Sequence, residues 1–118
     1  MFQTHNMRLD STPFAQIKAG EKQIELRLYD KKRQKLARGD HIIFTLAENA
    51  DEKVEVVITD LLRYATFAEL IDDQPSVFFG LKENEDKQKI KNRIRELYSA
   101  ELESHYGVLG IRIEIFSV

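Results

Sequence analysis

The stretch that decides the fold is Lys22-Gln23-Ile24-Glu25-Leu26-Arg27-Leu28-Tyr29. Its apolar residues Ile24, Leu26 and Leu28 alternate strictly with polar or aromatic residues. Alternation with a period of two predicts a half-buried β-strand, because successive side chains point to opposite faces of a sheet. This strand therefore has one face for the core and a second face that carries charged groups.

The rest of the chain supplies further strands and helices by the same criteria of spacing and punctuation. Thr12 and Pro13 predict a helix start and Gly20 its end, while a capping box at Thr66 starts a second helix. Residues 30–38 and 48–53 are predicted as a short helical turn and a loop. The other predicted elements are strands over residues 5–9, 41–46, 54–62 and 108–118, and a long helix over 86–103 with Ile90, Ile94, Leu97 and Leu102 facing inward.

This order of elements predicts an α+β fold. Strands cluster early and one returns at the end, so helices do not alternate with strands as they do in a doubly wound sheet. We expect a small, strongly curved mixed sheet or barrel of five to six strands with about three peripheral helices. The last strand is predicted to close the barrel and cover an exposed edge. The length of 118 residues predicts a single domain over 1–118.

Composition excludes several classes of protein. The chain has no cysteine, which rules out disulfides, thiolate metal sites and a cysteine nucleophile. No apolar run approaches the roughly 20 residues that span a bilayer, and the N-terminus lacks the pattern of a signal peptide. These observations predict a cytoplasmic protein without a membrane partner.

The net charge of −2 conceals an asymmetry along the chain. Residues 1–45 hold nine Lys or Arg and five Asp or Glu, a net of +4, while residues 46–118 hold nine and fifteen, a net of −6. Charge segregation of this kind is typical of a basic half with an anionic partner. An unevenly charged surface without a partner is the alternative.

Three residues of the deciding strand form a candidate ligand site. Glu25 and Arg27 lie on the same face, with Cβ atoms about 7 Å apart along the strand. On a concave surface, Glu25 would accept from a base amino group and Arg27 would bind a carbonyl or phosphate with its planar fork. Lys22 lies at the rim, where it would contact a phosphate or carbonyl. The alternative is a solvated face on which Glu25 and Arg27 only pair with each other.

A run of five cations follows the strand and forms a candidate contact for nucleic-acid phosphates. Tyr29 lies beside it and would stack on an unpaired base. A solvated basic loop is the alternative, and the pI of about 5.9 argues against tight non-specific binding of nucleic acid. The five cations are Lys31, Lys32, Arg33, Lys35 and Arg38.

No motif indicates a metal or a cofactor. His5, His41 and His105 are far apart and show no ligand spacing, so no metal site is predicted. The serines match no nucleophile pattern, and the glycines form no phosphate-binding loop.

Two stretches carry a family resemblance in the order of their residues. The first is Pro13-Phe14-x-x-Ile17-Lys18-x-Gly20-x-Lys22-x-Ile24-Glu25-Leu26-Arg27, followed by Gly39-Asp40-x-Ile42-x-Phe44. The second is Tyr98-Ser99-x-Glu101-x-Glu103-x-x-Tyr106-Gly107-Val108-x-Gly110-Ile111. Together they resemble the ASCH domain, the activating signal cointegrator homology family of the PUA-like superfamily. The resemblance implies a PUA-like barrel and a role in binding RNA or modified nucleosides.

The resemblance also implies an enzymatic alternative. Some small bacterial ASCH proteins are amidohydrolases that remove the acyl group from N-acetylated cytidine, with a Lys, a Thr three residues later and a Glu before the long helix. Lys22 matches the Lys, Glu25 replaces the Thr, and counting back from Tyr98 places the Glu at Glu83. Glu25 beside Lys22 is expected to keep the ammonium charged, which does not suit a lysine base or nucleophile. A protein-interaction module is a second alternative.

A small-ligand site needs several polar groups that converge in one pocket. We therefore expect Lys22, Glu25 and Arg27 to lie beside a fourth polar group. Tyr106 is predicted as a ligand-binding residue in this role, and Glu83 and Ser99 are the alternatives.

Overall fold

The computed structural model describes residues 1–117. Within these residues, five strands and four α-helices follow one another, with two short 3₁₀ turns at Arg33–Lys35 and Ser76–Phe78. The elements in chain order are β1 (Thr4–Leu9), α1 (Ser11–Lys18), β2 (Ile24–Leu28), β3 (His41–Leu46), β4 (Asn49–Tyr64), α2 (Phe67–Asp73), α3 (Gln88–Leu97), α4 (Ala100–Tyr106) and β5 (Val108–Ser117).

The five strands form one mixed sheet in the order β1-β3-β4-β5-β2. β1 pairs with β3 in parallel, and the other three pairings are antiparallel. β4 is 16 residues long and pairs with both β3 and β5, with a register shift between Ile58 and Asp60 that lets the sheet curl. The result is a curled half-barrel, which confirms the predicted curved mixed sheet.

The half-barrel packs its core on both faces of the sheet. One cluster of buried side chains fills the concave side under α1, around Phe44, Ile42 and Ile111. The second cluster lies between the opposite face, α2 and α3, around Ile24 and Leu70. Because β2 lies between the two clusters, both of its faces are covered by protein, including the face that carries Glu25.

The predicted closure of the barrel is wrong. β5 lies inside the sheet between β4 and β2, so it covers no edge, and within residues 1–117 the sheet remains open between β1 and β2. The reason is the parallel pairing of β1 with β3, which leaves the outer edges of β1 and β2 facing each other. We call this opening the seam.

The long helix predicted over 86–103 is also wrong, because it is two helices that break at Tyr98 and Ser99. The Ser99 hydroxyl accepts a hydrogen bond of 3.1 Å from the Leu102 backbone N–H and so starts α4. The change of direction leaves Leu97 and Leu102 exposed, whereas Ile94 is buried as predicted.

Two smaller predictions of element ends are corrected in the same way. α1 is capped at Asp10 rather than at Thr12, although Pro13 does lie in its first turn and Gly20 adopts the left-handed conformation expected after a helix. The predicted loop 48–53 is mostly strand, because β3 and β4 form a tight hairpin. Val118, the last residue of the predicted final strand, lies outside the described residues.

Candidate functional site

The backbone of Lys22 is fixed between α1 and the loop that follows α2. Gly20, with φ of 77°, turns the chain back, and the Lys22 N–H donates to the Gln16 carbonyl at 3.1 Å. Lys22 also forms an isolated antiparallel bridge with Phe79. The backbone of Lys22 is therefore held in place just before the start of β2, and this fixes the point from which its side chain extends.

Lys22, Glu25 and Arg27 converge on β2, and we call these three residues the cleft trio. The Lys22 ammonium donates to Glu25 Oε1 at 2.9 Å, and Arg27 donates through Nε and Nη2 to Glu25 Oε2 at 3.1 and 2.9 Å. The Leu26 backbone N–H adds a fourth hydrogen bond to Glu25 Oε1 at 3.2 Å. Since an ionised carboxylate offers about four lone-pair positions, Glu25 is already satisfied by the protein.

Glu25 is a buried charge with two mostly buried partners. Only 7% of its side chain is exposed, against 12% for Lys22 and 13% for Arg27. Burial raises the pKa of Glu25, but the positive charges of Lys22 and Arg27 and their hydrogen bonds more than reverse this effect. The pKa of Glu25 therefore falls from its ordinary 4.5 to about 2. Glu25 is ionised at neutral pH and holds the two cations in place.

Arg27 connects the two strands that border the seam. In addition to its bonds with Glu25, Nη2 donates to the Arg8 carbonyl of β1 at 2.9 Å. One guanidinium thus bridges β2 and β1, which share no backbone ladder. The cleft trio therefore lies at the open side of the half-barrel, where a ligand has access to it.

A cleft of about 340 Å³ opens at this point, and the trio contributes to its lining. The volume falls within the range of about 300–1,000 Å³ that is usual for small-molecule sites. The end of β1 and α1 contribute part of the lining, and α3 contributes another part. The apolar side chains of the lining are Leu9, Pro13, Leu26, Phe79, Leu81, Ile90, Ile94 and Leu97, with Tyr98 at the end of α3.

The trio offers hydrogen-bond donors to this cleft and few acceptors. Lys22 uses one of its three ammonium protons on Glu25, and Arg27 Nη1 has no protein partner within residues 1–117. Glu25 has its four acceptor positions occupied, so the expected contact from Glu25 to a base amino group is not favoured by this geometry. The remaining donors of Lys22 and Arg27 are of the kind that pair with carbonyl, ring-nitrogen or phosphate acceptors.

The other predicted site residues lie away from the trio. Tyr106 is at the end of α4 in a separate depression with Arg63 and Gly107, and Ser99 caps α4. Glu83 is exposed and does not contribute to the cleft. The structure therefore does not bring Tyr106, Ser99 or Glu83 to the trio.

Tyr29 is half-buried at the end of β2. The Arg63 guanidinium lies over its ring, 4.0 Å from the ring centre, and the ring packs against the concave core cluster. One face of Tyr29 is therefore already occupied by a protein cation, which leaves less of the ring for the predicted stacking on a base.

The basic run, which we call the basic loop (residues 31–38), divides into two groups. Lys32 donates to the Asn6 carbonyl at 2.8 Å, and Arg33 pairs with Asp30 at 3.1 Å. Burial and the charges of Arg33 and Arg27 lower the pKa of Lys32. Lys31, Lys35 and Arg38 are exposed and have no ion-pair partner in the described part of the chain.

Sequence reasoning missed the residues that other elements bring to the cleft. Arg8 and Asp10 come from the end of β1, and Lys89, Arg93 and Tyr98 come from α3 or its end. The available signal was the basic pattern of α3, in which Lys89 and Arg93 are four residues apart and share one helix face. Nothing local indicates that this face lies over β2.

No group of three or more His, Asp or Glu side chains in the described residues is arranged to hold a metal ion. No helix between residues 1 and 117 is long and apolar enough to cross a membrane.

A mixed half-barrel with helices packed on both faces of its sheet and a polar cleft at its seam is an ASCH/PUA-like fold, and solved structures share it. Hypothetical protein PH0355 superimposes with a TM-score of 0.81 and 32% identity, over 96% of this chain and 99% of that one. Protein PF0455 from Pyrococcus furiosus gives 0.71 and 25%, over 99% and 100%. The ASCH domain from Lactobacillus crispatus JV V101 gives 0.64 and 15%, over 96% and 79%, which shows the fold.

The family follows from the sequence as well as from the fold. The family model of the ASCH domain matches residues 7–117, so the chain belongs to the ASCH domain family, as the resemblance predicted. A comparison with curated proteins gave no match.

Proposed function

We propose that this ASCH protein is a binding module for RNA or a modified nucleoside, and that one nucleoside unit enters the cleft at the seam. The observation that carries the proposal is the cleft trio. Two cations are held by a saturated, buried carboxylate, and both contribute to the lining of a cleft of about 340 Å³. Donors fixed in advance lose little freedom when they bind a ligand, which favours affinity and selectivity.

The composition of the cleft supports a heterocyclic ligand. Leu9 of β1, Pro13 of α1 and the apolar side chains of α3 all line the cleft, so the faces of a flat ring would contact apolar surface. The edge of the ring would meet the donors of Lys22 and Arg27, which match the carbonyl and ring-nitrogen acceptors of nucleobases. A polar floor between apolar walls is the usual design of small-ligand sites.

The basic loop supports the RNA form of the proposal. Lys31, Lys35 and Arg38 are exposed and would contact backbone phosphates of the RNA. Such contacts release counterions and make binding weaker as salt rises. The loop would contribute affinity without sequence selectivity.

The geometry favours binding over amide hydrolysis. Glu25 stands at the position of the threonine in the family's amidohydrolases and offers no hydroxyl, and Glu83 lies outside the cleft. The Lys22 ammonium is paired with a carboxylate at 2.9 Å, an arrangement that suits a binding cation better than a free amine.

Titration with ribonucleosides and short single-stranded RNA tests the proposal. We expect saturable binding of at least one nucleoside and RNA binding that weakens as salt rises. In Lys22→Ala we expect nucleoside binding to be lost and RNA binding to be weakened. Lys18→Ala is the matched control, because Lys18 is exposed and forms only a 3.7 Å pair with Glu52. Absence of binding to every nucleoside and RNA would overturn the proposal and leave a protein partner as the function to seek.

Incubation with N4-acetylcytidine separates binding from catalysis. We expect the acetylated nucleoside to be recovered intact after incubation with stoichiometric protein. Deacetylation that disappears in Lys22→Ala would instead show that the chain is an amidohydrolase.

A further inference from the structure

The lining of the cleft carries a strong excess of positive charge. Five cations and two carboxylates contribute to it, which leaves a formal net charge of +3 at neutral pH. One of the two carboxylates is Glu25, whose oxygens are occupied by the trio. Glu85, which does not line the cleft, pairs with Lys89 and reduces the excess to +2, and a neutral nucleoside would leave that charge uncompensated. The cations are Arg8, Lys22, Arg27, Lys89 and Arg93.

The excess charge lies at the rim, apart from the trio. Lys89 and Arg93 are four residues apart on α3, about 6 Å along the helix axis, and both contribute to the cleft lining. Their side chains are 72% and 51% exposed, so they remain mobile and hydrated at the mouth. Two cations at this spacing on one helix face can both reach a single phosphate group.

The existing partners of these two cations are weak competitors. Arg93 meets Asp10 at 3.5 Å across the mouth of the cleft, and Lys89 meets Glu85 at 3.0 Å in the segment just before α3. Exposed pairs of this kind contribute little free energy, so a phosphate that carries up to two charges would displace them.

We propose that the cleft selects a phosphorylated nucleoside over the free nucleoside, with the phosphate bound at the rim by Lys89 and Arg93. The inference rests on the nucleoside binding proposed above and adds the class of ligand. The trio then binds the base and the rim binds the phosphate. Asp10 lies beside the phosphate position and opposes binding there.

Calorimetric titration of each ribonucleoside against its 5′-monophosphate tests this inference. At low salt we expect the monophosphate to bind at least about tenfold more tightly, as one or two charge-assisted contacts imply. The ratio is expected to fall as salt rises. Equal or weaker binding of the monophosphate would overturn the inference while the proposed function stands, and failure of both ligands would overturn both.

Variants at the rim make the test specific. In Lys89→Ala/Arg93→Ala we expect the monophosphate to lose its advantage and to bind about as tightly as the nucleoside binds to the same variant. Lys91→Ala is the matched control on the same helix, because Lys91 pairs with Asp72 and does not contribute to the cleft. Asp10→Asn is expected to raise the preference for the monophosphate. An unchanged preference in the double variant would contradict the assignment.

A dinucleoside monophosphate distinguishes the two sources of the phosphate. If it binds as tightly as the mononucleotide, the rim accepts the internal phosphodiester of RNA. If only the mononucleotide gains affinity, the rim selects a terminal phosphate. Either result supports a phosphate site. In both cases the tighter binding of the phosphorylated ligand must disappear in Lys89→Ala/Arg93→Ala.

Discussion

The cleft trio and the basic loop both lie within residues 22–38, and both contain cations. Their cations differ in burial and in their ion-pair partners. Lys22 and Arg27 are mostly buried and are held by Glu25 through three side-chain hydrogen bonds. Lys31, Lys35 and Arg38 are exposed, and no carboxylate of the described residues pairs with them. The two groups of cations contain the same types of residue, but they differ in exposure to solvent and in position in the fold.

This difference separates two uses of positive charge. A cation held by a buried carboxylate keeps its direction and acts in a medium that screens it poorly, so it can recognise one acceptor. An exposed lysine is hydrated, mobile and screened over about 8 Å at physiological salt, so it contributes attraction without selectivity. The trio should therefore decide which unit binds, and the loop should decide how strongly RNA binds overall.

The largest expected effect is on folding stability and comes from Glu25→Gln. Removal of the buried carboxylate leaves Lys22 and Arg27 without their common partner. Loss of one member of a buried ion pair typically costs about 3–5 kcal/mol. Urea unfolding should show a decrease of this size. The control is Glu52→Gln at an exposed 3.7 Å pair, which should change stability by less than about 1 kcal/mol. Similarly small decreases in unfolding free energy for Glu25→Gln and Glu52→Gln would refute the difference between the buried and the exposed ion pairs.

The pH dependence of stability gives the next largest effect. Since the pKa of Glu25 in the folded chain is about 2, below its ordinary 4.5, folding favours the ionised form. This contribution, about 3 kcal/mol, is complete above about pH 4.5 and is lost as pH falls toward 2. The stability difference between the wild type and Glu25→Gln should therefore shrink between pH 4.5 and 2. A difference that stays constant down to pH 2.5 would contradict the assignment.

Arg27→Lys should have an intermediate effect, because it keeps the charge and removes the planar fork. A lysine cannot form two bonds with Glu25 and also reach the Arg8 carbonyl. We expect a loss of about 1–3 kcal/mol in unfolding free energy and about tenfold weaker nucleoside binding. Arg38→Lys in the basic loop is the control and should be neutral within about 0.5 kcal/mol. Equal changes in unfolding free energy and in nucleoside affinity for the two variants would show that Arg27 has no special role.

The basic loop should affect RNA binding and not nucleoside binding. Replacement of Lys31, Lys35 and Arg38 by alanine should lower the dependence of log affinity on log salt by about 2, since each phosphate contact contributes about 0.7 for single strands. Nucleoside affinity should not change. A loss of nucleoside binding comparable to that in Lys22→Ala would show that the loop belongs to the cleft.

Lys32→Ala should have the smallest effect. Its ammonium bonds to the Asn6 carbonyl on the edge of β1, so it supports the seam and is less available to phosphates. We expect a loss of at most about 1 kcal/mol in stability and a smaller change in RNA binding than in Lys35→Ala. A larger change in RNA binding would place Lys32 with the exposed cations.

The local parts of the fold could be predicted from the sequence. The alternation of apolar and polar residues around Glu25 predicted β2 and which of its residues share a face. The capping box at Thr66 was also predicted, and the Thr66 hydroxyl accepts a hydrogen bond from the Glu69 N–H. The pairing of β1 with β3 could not be predicted, because it joins strands separated by α1 and β2. The break at Ser99 was missed because apolar residues continue at helical spacing through it.

For the candidate site too, only the local part could be predicted from the sequence. The trio lies on one strand, so its convergence follows from local geometry. Lys89 and Arg93 reach the cleft because α3 packs over β2, which is a tertiary contact without a local signal. The burial of Glu25 also depends on core clusters from distant segments on both sides of the strand.

The most direct test is an NMR titration of the ¹⁵N-labelled protein with ribonucleosides and their monophosphates. We expect saturable shifts at the backbone amides of residues 22–27 and 90–98, and no saturable shifts over 31–38. Saturable shifts confined to the basic loop, or none at residues 22–27 with any of these ligands, would contradict the claim that the cleft trio binds the nucleoside unit.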